Sequence, residues 1–368
     1  MQIYINNPTS ATWIFGLILI IGLIVSSRWK KNQDLFPVSL TQELKGLAIL
    51  AVIFSHIGYI LATDNRFLFP LSIFAGIGVN LFLFLSGYGL TASALKKNSS
   101  IIKFYKSGLI KLFTPLWASL ILFFLLDFFI LKLNYSWQTI WQSFVGFFPN
   151  ADVNSQLNSP LWYFTLILFY YLIFPIVWFK KYPWVSALIL YGLGYWFIRF
   201  NPFWLVNVKH LYEVHVVAFP LGVAVAWLFS WPVFLAKLNL LKIDKIWLKK
   251  IGHYILLATL IIIICYTAYY SGVGKGPVLE QRLSLITMSA IVLLFLVKKI
   301  EFKLLYWLGF YSFEIYLLHW PILFRYDFLY RYLPTYPWLA TAFYVIVFLF
   351  LGIGLRKLSN VVSKKINC

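Results

Sequence analysis

Apolar runs follow one another along almost the whole chain, and the basic residues fall in the gaps between them. Eleven runs read as membrane-crossing helices: Trp13–Val25, Leu44–Leu61, Phe74–Leu90, Phe113–Leu131, Leu161–Phe179, Trp184–Phe200, His215–Phe229, Tyr254–Tyr270, Leu283–Val297, Tyr306–Phe324 and Trp338–Leu355. Hydrocarbon offers no water to bond backbone N–H and C=O groups, so such segments must satisfy them internally as helices. The expected fold is therefore an all-α polytopic membrane protein embedded in the lipid bilayer. Of the 368 residues, 62% are hydrophobic and only 11% are charged. Soluble domains carry roughly a quarter charged residues, and no gap here is long enough to hold one.

The net charge of +20 would suit a nucleic-acid binder if it formed one patch. It does not: Lys and Arg cluster in alternate loops, as in cytoplasmic connections, so no nucleic-acid partner is expected. With eleven spans, the odd loops, their bordering helix ends and the C-terminal tail hold 23 of the 31 basic residues. That alternation predicts an outer N-terminus and an inner C-terminus. The first run has no basic segment before it and is followed by Arg28, Lys30 and Lys31, which reads as a retained helix, not a cleaved signal. Residues 1–39 are expected to form this leading helix and a basic linker, and 40–368 a single membrane domain. Cys265 and Cys368 make neither a disulfide framework nor a metal-ligand spacing, so no metal is expected. Between Lys132 and Pro160, Trp137, Ile140, Trp141, Phe144, Val145 and Phe148 recur at helical spacing. This predicts an amphipathic helix anchored at the outer interface. Asn150–Ser159 reads as a loop. Gly272–Pro277 reads as an external turn, since it lacks the spacing of a phosphate loop.

Polar groups inside apolar runs are the functional candidates, because an ionisable side chain in hydrocarbon is costly unless used or satisfied. Lys45 and His56 lie eleven residues apart, about three helical turns, and so share one helix face. At about 1.5 Å per residue, His56 lies roughly 18 Å from the inner end of its helix, Asn80 roughly 9 Å from the outer end of the next, and Asp127 and His319 each roughly 20 Å up from the inner side. All four fall in the outer half of the membrane at similar depth. Glu314 is lower on the His319 helix and off its face. His210, Glu213 and His215 read as solvated residues of an outer interface.

Five stretches, in order, resemble the acyltransferase-3 family of integral-membrane acyltransferases. They are Glu43–Ala48 through His56 (a basic residue, ten residues, histidine); Gly78–Gly87 (GVNLFLFLSG); Phe104–Lys106 with Lys111 and Pro115; Leu161–Phe164 through Tyr170, Tyr171 and Pro175; and Tyr306–Gly309 with Ser312–Pro321. Phe219–Gly222 also fits. The resemblance implies a ten-helix core behind an extra leading span, and transfer of an acyl group, usually acetyl from acetyl-CoA, to a hydroxyl of a surface glycan, lipid or small molecule. No appended esterase-like domain is expected. Asn80 stands where the family signature has aspartate, and Lys106-Ser107 where many members have paired arginines.

On this resemblance His56, His319 and Asp127 are the candidate catalytic residues. His56 would act as base toward the acceptor hydroxyl or carry the acyl group transiently. Lys45, Lys103, Lys106 and Lys111 are the candidates for holding the phosphates of acetyl-CoA or another acyl-CoA, and Asn80, Ser86, Trp162 and Glu314 for the substrate. The expected acceptor is a cell-surface or lipid-linked carbohydrate, and the expected location a bacterial inner membrane. The rival reading is a transporter or flippase for lipid-linked saccharides, with Asp127 and the histidines coupling protons. Against it, the chain shows no inverted repeat.

Overall fold

The computed structural model describes residues 2–30, 35–97, 100–151, 159–199, 208–231, 246–271 and 276–367, without the side chains of 246–250 and 364–367. Lys31, Lys237, Lys242, Lys245, Lys275 and Cys368, and most of the expected Asn150–Ser159 loop and Gly272–Pro277 turn, lie outside the described residues.

Helix α1 (Pro8–Val25) opens with proline at its first position, where the missing N–H costs nothing. It buries one narrow face, Pro8, Ala11 and Phe15, and Phe15 meets Phe54 edge-to-face at 5.1 Å. The chain then forms β1 (Ser27–Trp29), which pairs antiparallel with β2 (Ile300–Phe302), Arg28 opposite Glu301. This pair and an isolated bridge between Ile3 and Ala62 are departures from the all-α expectation. Arg28 bridges Glu301 at 2.9 Å and Lys298 bridges Glu43 at 2.6 Å, while Ser39 donates to the other Glu301 oxygen at 2.8 Å. Burial pushes the Lys298 amine below the usual lysine range, and the Glu43 carboxylate opposes that shift. Arg28 thus fastens the leading segment to β2, and Lys298 ties the approach to β2 to Glu43, as well as contributing to the charge bias.

Helix α2 (Val38–Ser55) continues as a π-helical turn, His56–Leu61. A 3₁₀ turn (Leu71–Phe74) leads into α3 (Ala75–Lys96). Helix α4 (Ile101–Leu126) is capped by the Ser100 hydroxyl and ends in a second π turn, Asp127–Leu131. The expected interfacial helix is α5 (Trp137–Phe144), capped by Ser136. It stops before Val145 and Phe148, with Trp137 and Trp141 exposed and the Trp117 indole donating to the Phe144 carbonyl at 2.7 Å. There follow α6 (Trp162–Ile173), α7 (Pro183–Arg199), α8 (Lys209–His215), α9 (Ala218–Phe229), α10 (Ile246–Tyr270), α11 (Pro277–Val297), α12 (Lys303–Phe310), α13 (Ser312–Phe324), α14 (Leu329–Tyr332) and α15 (Pro337–Asn367).

Eight helical stretches among the described residues are long and apolar enough to cross a membrane. Three of the eleven expected spans fall short of that standard. Helix α6 has 12 residues and α7 has 17, and the tenth run is divided between α12 and α13 at Tyr311. The seventh span begins earlier than expected, at Lys209, and is interrupted after His215, but its two helices together still qualify.

Two backbone crossings set the bundle. A Cβ on Gly46 would strike the Leu305 carbonyl, and one on Gly309 the Gln42 carbonyl, so α2 and α12 touch through glycine. In the same reciprocal way Gly87 meets the Phe219 carbonyl and Gly222 the Phe84 carbonyl, where α3 crosses α9. Small residues allow such approach where lipid tails give no hydrophobic incentive for helices to associate.

Candidate active site

The π turn begins at His56, so the ring projects from the point where the α-helical ladder widens. Such bulges recur at functional sites. His319 is fully buried on α13. The two side chains meet directly: His56 Nδ1 and His319 Nε2 are 2.9 Å apart, with the ring planes within 5° of parallel. The other nitrogen of His319, Nδ1, lies 2.8 Å from the Tyr316 carbonyl. A carbonyl only accepts, so Nδ1 of His319 carries the hydrogen. With both rings neutral, His319 Nε2 is an acceptor, His56 Nδ1–H donates to it, and the lone pair of His56 is left on Nε2. The pair therefore orients His56 as a proton acceptor, in the way a second residue fixes the tautomer of a catalytic imidazole.

Two cavities flank this chemistry. One, of about 330 Å³, is bounded by His56, Tyr59, Trp162 and Trp320 among others. The second, of about 290 Å³, contains Lys45, Lys111, Arg356 and Ser86. Phe82, Tyr163 and Tyr316 border both. Tyr163 stands edge-on to Tyr316, with centroids 5.5 Å apart. Lys45 thus lines the cationic cavity and His56 the aromatic one.

The expected site residues divide accordingly. Lys45, Lys111 and Ser86 line the cationic cavity, whereas Lys103 and Lys106 do not and are exposed on α4. Glu314 is buried beside that cavity and pairs with Arg356, Nε to Oε1 at 3.2 Å. Trp162 lines the aromatic cavity.

Asp127 is not brought to the histidines. Arg325 forms an ion pair with it, and its oxygens accept from Tyr135 at 2.5 Å and Tyr326 at 2.6 Å. Asn80 lies behind the aromatic cavity, donating to Ser284 at 3.0 Å and accepting from His215 Nδ1 at 2.8 Å. His215 is the clear correction: it is 3% exposed, not solvated, and stacks on Trp162 at 5.7 Å. His210, half exposed, pairs with Glu280 at 3.0 Å.

Four further residues that line the two cavities are not singled out as site residues by the sequence. Arg356 sits in a basic cluster at a helix end, which reads as an ordinary topology marker. Tyr163, Tyr316 and Trp320 belong to a chain whose aromatic content is 21%, too high for any one ring to stand out. Among the described residues no cluster of His, Cys, Asp or Glu is arranged to hold a metal ion.

Comparison with curated proteins and with solved structures gave no match. A family model described as an acyltransferase domain matches residues 44–357. The match takes in both histidines, both cavities and the two glycine crossings, and the chain belongs to the acyltransferase-3 family.

Proposed function

We propose that this protein is a membrane O-acyltransferase that moves an acyl group, acetyl in the simplest case, from a cytosolic acyl-CoA to a hydroxyl of a cell-surface or lipid-linked carbohydrate. The observation that carries the reading is the His56–His319 pair, with its lone pair on His56 Nε2 at the wall of one cavity and a cationic cavity beyond three shared aromatic residues. The donor's phosphates are held by Lys45, Lys111 and Arg356, and its thin pantetheine arm passes Phe82, Tyr163 and Tyr316. The acceptor enters the aromatic cavity, where rings such as Trp162 suit the apolar face of a sugar. His56 Nε2 takes the hydroxyl proton as the oxygen attacks the thioester carbon, and returns it to the departing thiolate. Asp127, on which the transporter reading leaned, is already ion-paired with Arg325, so that reading loses its coupling carboxylate.

The same proposal takes eleven crossings, with the N-terminus outside and the C-terminus inside a bacterial inner membrane. Residues 1–39 are the leading helix and linker, and the remainder is one catalytic membrane domain. The cationic cavity then faces the cytosolic donor and the histidines face the outer half.

His56→Ala tests the reading. Purified full-length protein in lipid nanodiscs is given radiolabelled acetyl-CoA and extracted cell-envelope glycans. Loss of label transfer by at least about 10²-fold is expected, with unchanged expression and melting temperature. A His56→Ala protein that transfers at the wild-type rate ends the proposal.

A further inference from the structure

Buried polar groups are nearly always hydrogen-bonded, and each exception calls for a physical reason. Among the described residues five buried side-chain polar atoms have no partner, and one of these, Trp320 Nε1, is a ring N–H. Trp320 is 1% exposed, lines the aromatic cavity and meets His56 edge-to-face, with ring centroids 4.9 Å apart. On its other side it stacks on Phe324 at 5.2 Å, which fixes the plane of the indole. Two neighbouring donors are already committed. The Tyr316 hydroxyl donates to the Pro160 carbonyl at 2.5 Å, and His319 Nδ1 to the Tyr316 carbonyl. The Trp320 N–H is thus left desolvated and without an acceptor, on a ring that packs against the proposed base and borders the cavity.

We infer that Trp320 supplies the oxyanion donor for acyl transfer, an inference that rests on the reaction proposed above. Attack of the acceptor oxygen on the thioester carbon forms a C–O bond and moves the carbonyl electron pair onto oxygen. His56 Nε2 holds the hydroxyl proton at that moment. The Trp320 N–H donates to the new oxyanion, completing the bond the resting protein lacks. When the carbonyl re-forms, the C–S bond breaks and the thiolate takes the proton from His56. A donor that finds its partner only in the tetrahedral intermediate stabilises the transition state over the ground state, which is what raises turnover.

The test compares wild type, Trp320→Phe and His56→Ala as full-length proteins in nanodiscs, with acetyl-CoA as donor and envelope glycan as acceptor. Phenylalanine keeps a ring to stack on Phe324 and loses the N–H. The expected result for Trp320→Phe is a kcat lower by about 10²-fold, with KM for acetyl-CoA unchanged. A folded Trp320→Phe protein with kcat within about twofold of wild type, alongside an inactive His56→Ala, overturns the oxyanion role and leaves the reaction standing. An active His56→Ala overturns both. Should Trp320→Phe not fold, the wild-type protein still decides the matter. With the acceptor glycan present it should bind a trifluoromethyl-ketone analogue of acetyl-CoA, whose carbonyl carbon takes the glycan oxygen and whose carbonyl oxygen becomes the oxyanion while His56 holds the hydroxyl proton, at least about 10²-fold tighter than a thioether analogue without a carbonyl. Equal affinities overturn the inference.

Discussion

A single carbonyl decides how the histidine pair works. Because Tyr316 accepts from His319 Nδ1, His319 can only accept at Nε2 while neutral, and that fixes which nitrogen of His56 is free. Removing the partner should release the ring without removing the base. His319→Ala is expected to lower kcat by about 10- to 10²-fold, the usual cost of losing an orienting partner, with KM for the donor nearly constant. His319→Gln, whose side-chain oxygen can accept from His56 Nδ1, should keep more of the rate. Steady-state kinetics decide it, and identical rates for the alanine variant and wild type would remove His319 from the mechanism. At this scale the sequence was partly legible. Lys45 and His56 could be related because helical periodicity alone places them on one face. His56, Asn80, Asp127 and His319 could be assigned a common depth, but depth is one coordinate of three. Only packing shows that Asp127 turns to Arg325 and Asn80 to His215, while the two remaining histidines meet.

Among helices, the motif glycines account for much of the architecture. Gly46 and Gly309 let α2 reach α12, and Gly87 and Gly222 let α3 reach α9, each backbone resting where the other lacks a side chain. A methyl group at either crossing forces two main chains apart, a form of overpacking that costs about 1–3 kcal/mol. Gly87→Ala should therefore lower the melting temperature measured in detergent and reduce the yield of folded protein. Gly89→Ala, two residues on with open space around the position, should do neither. Equal melting temperatures for the two variants would show that the α3–α9 crossing can relax. The existence of most helices was plain from the apolar runs, because a lipid-facing or buried stretch needs apolar residues throughout. Their interruptions were not. The breaks at Tyr311 and after His215 carry no proline or glycine at the break itself to announce them. The Ser27–Trp29 and Ile300–Phe302 strands are three residues each, too short to display an alternating pattern.

Across the molecule, the two cavities divide the proposed labour between donor and acceptor. Lys45 lines only the cationic one, with the Arg356 and Glu314 charges acting on it. Lys45→Ala should accordingly raise KM for acetyl-CoA by about tenfold, roughly one lost charged contact, while KM for the glycan and kcat change little. Lys45→Arg should stay near wild type. A larger effect on the glycan KM than on the donor KM would reverse the assignment of the cavities. The strand pair has a different consequence, one for biogenesis. Ser27 pairs with Phe302, so this fastening of the leading helix forms only once a segment far along the chain has been made. At synthesis rates of ~5–20 residues per second, the nascent leading helix, able to meet Phe54 through Phe15 early, waits on the order of tens of seconds for this second anchor.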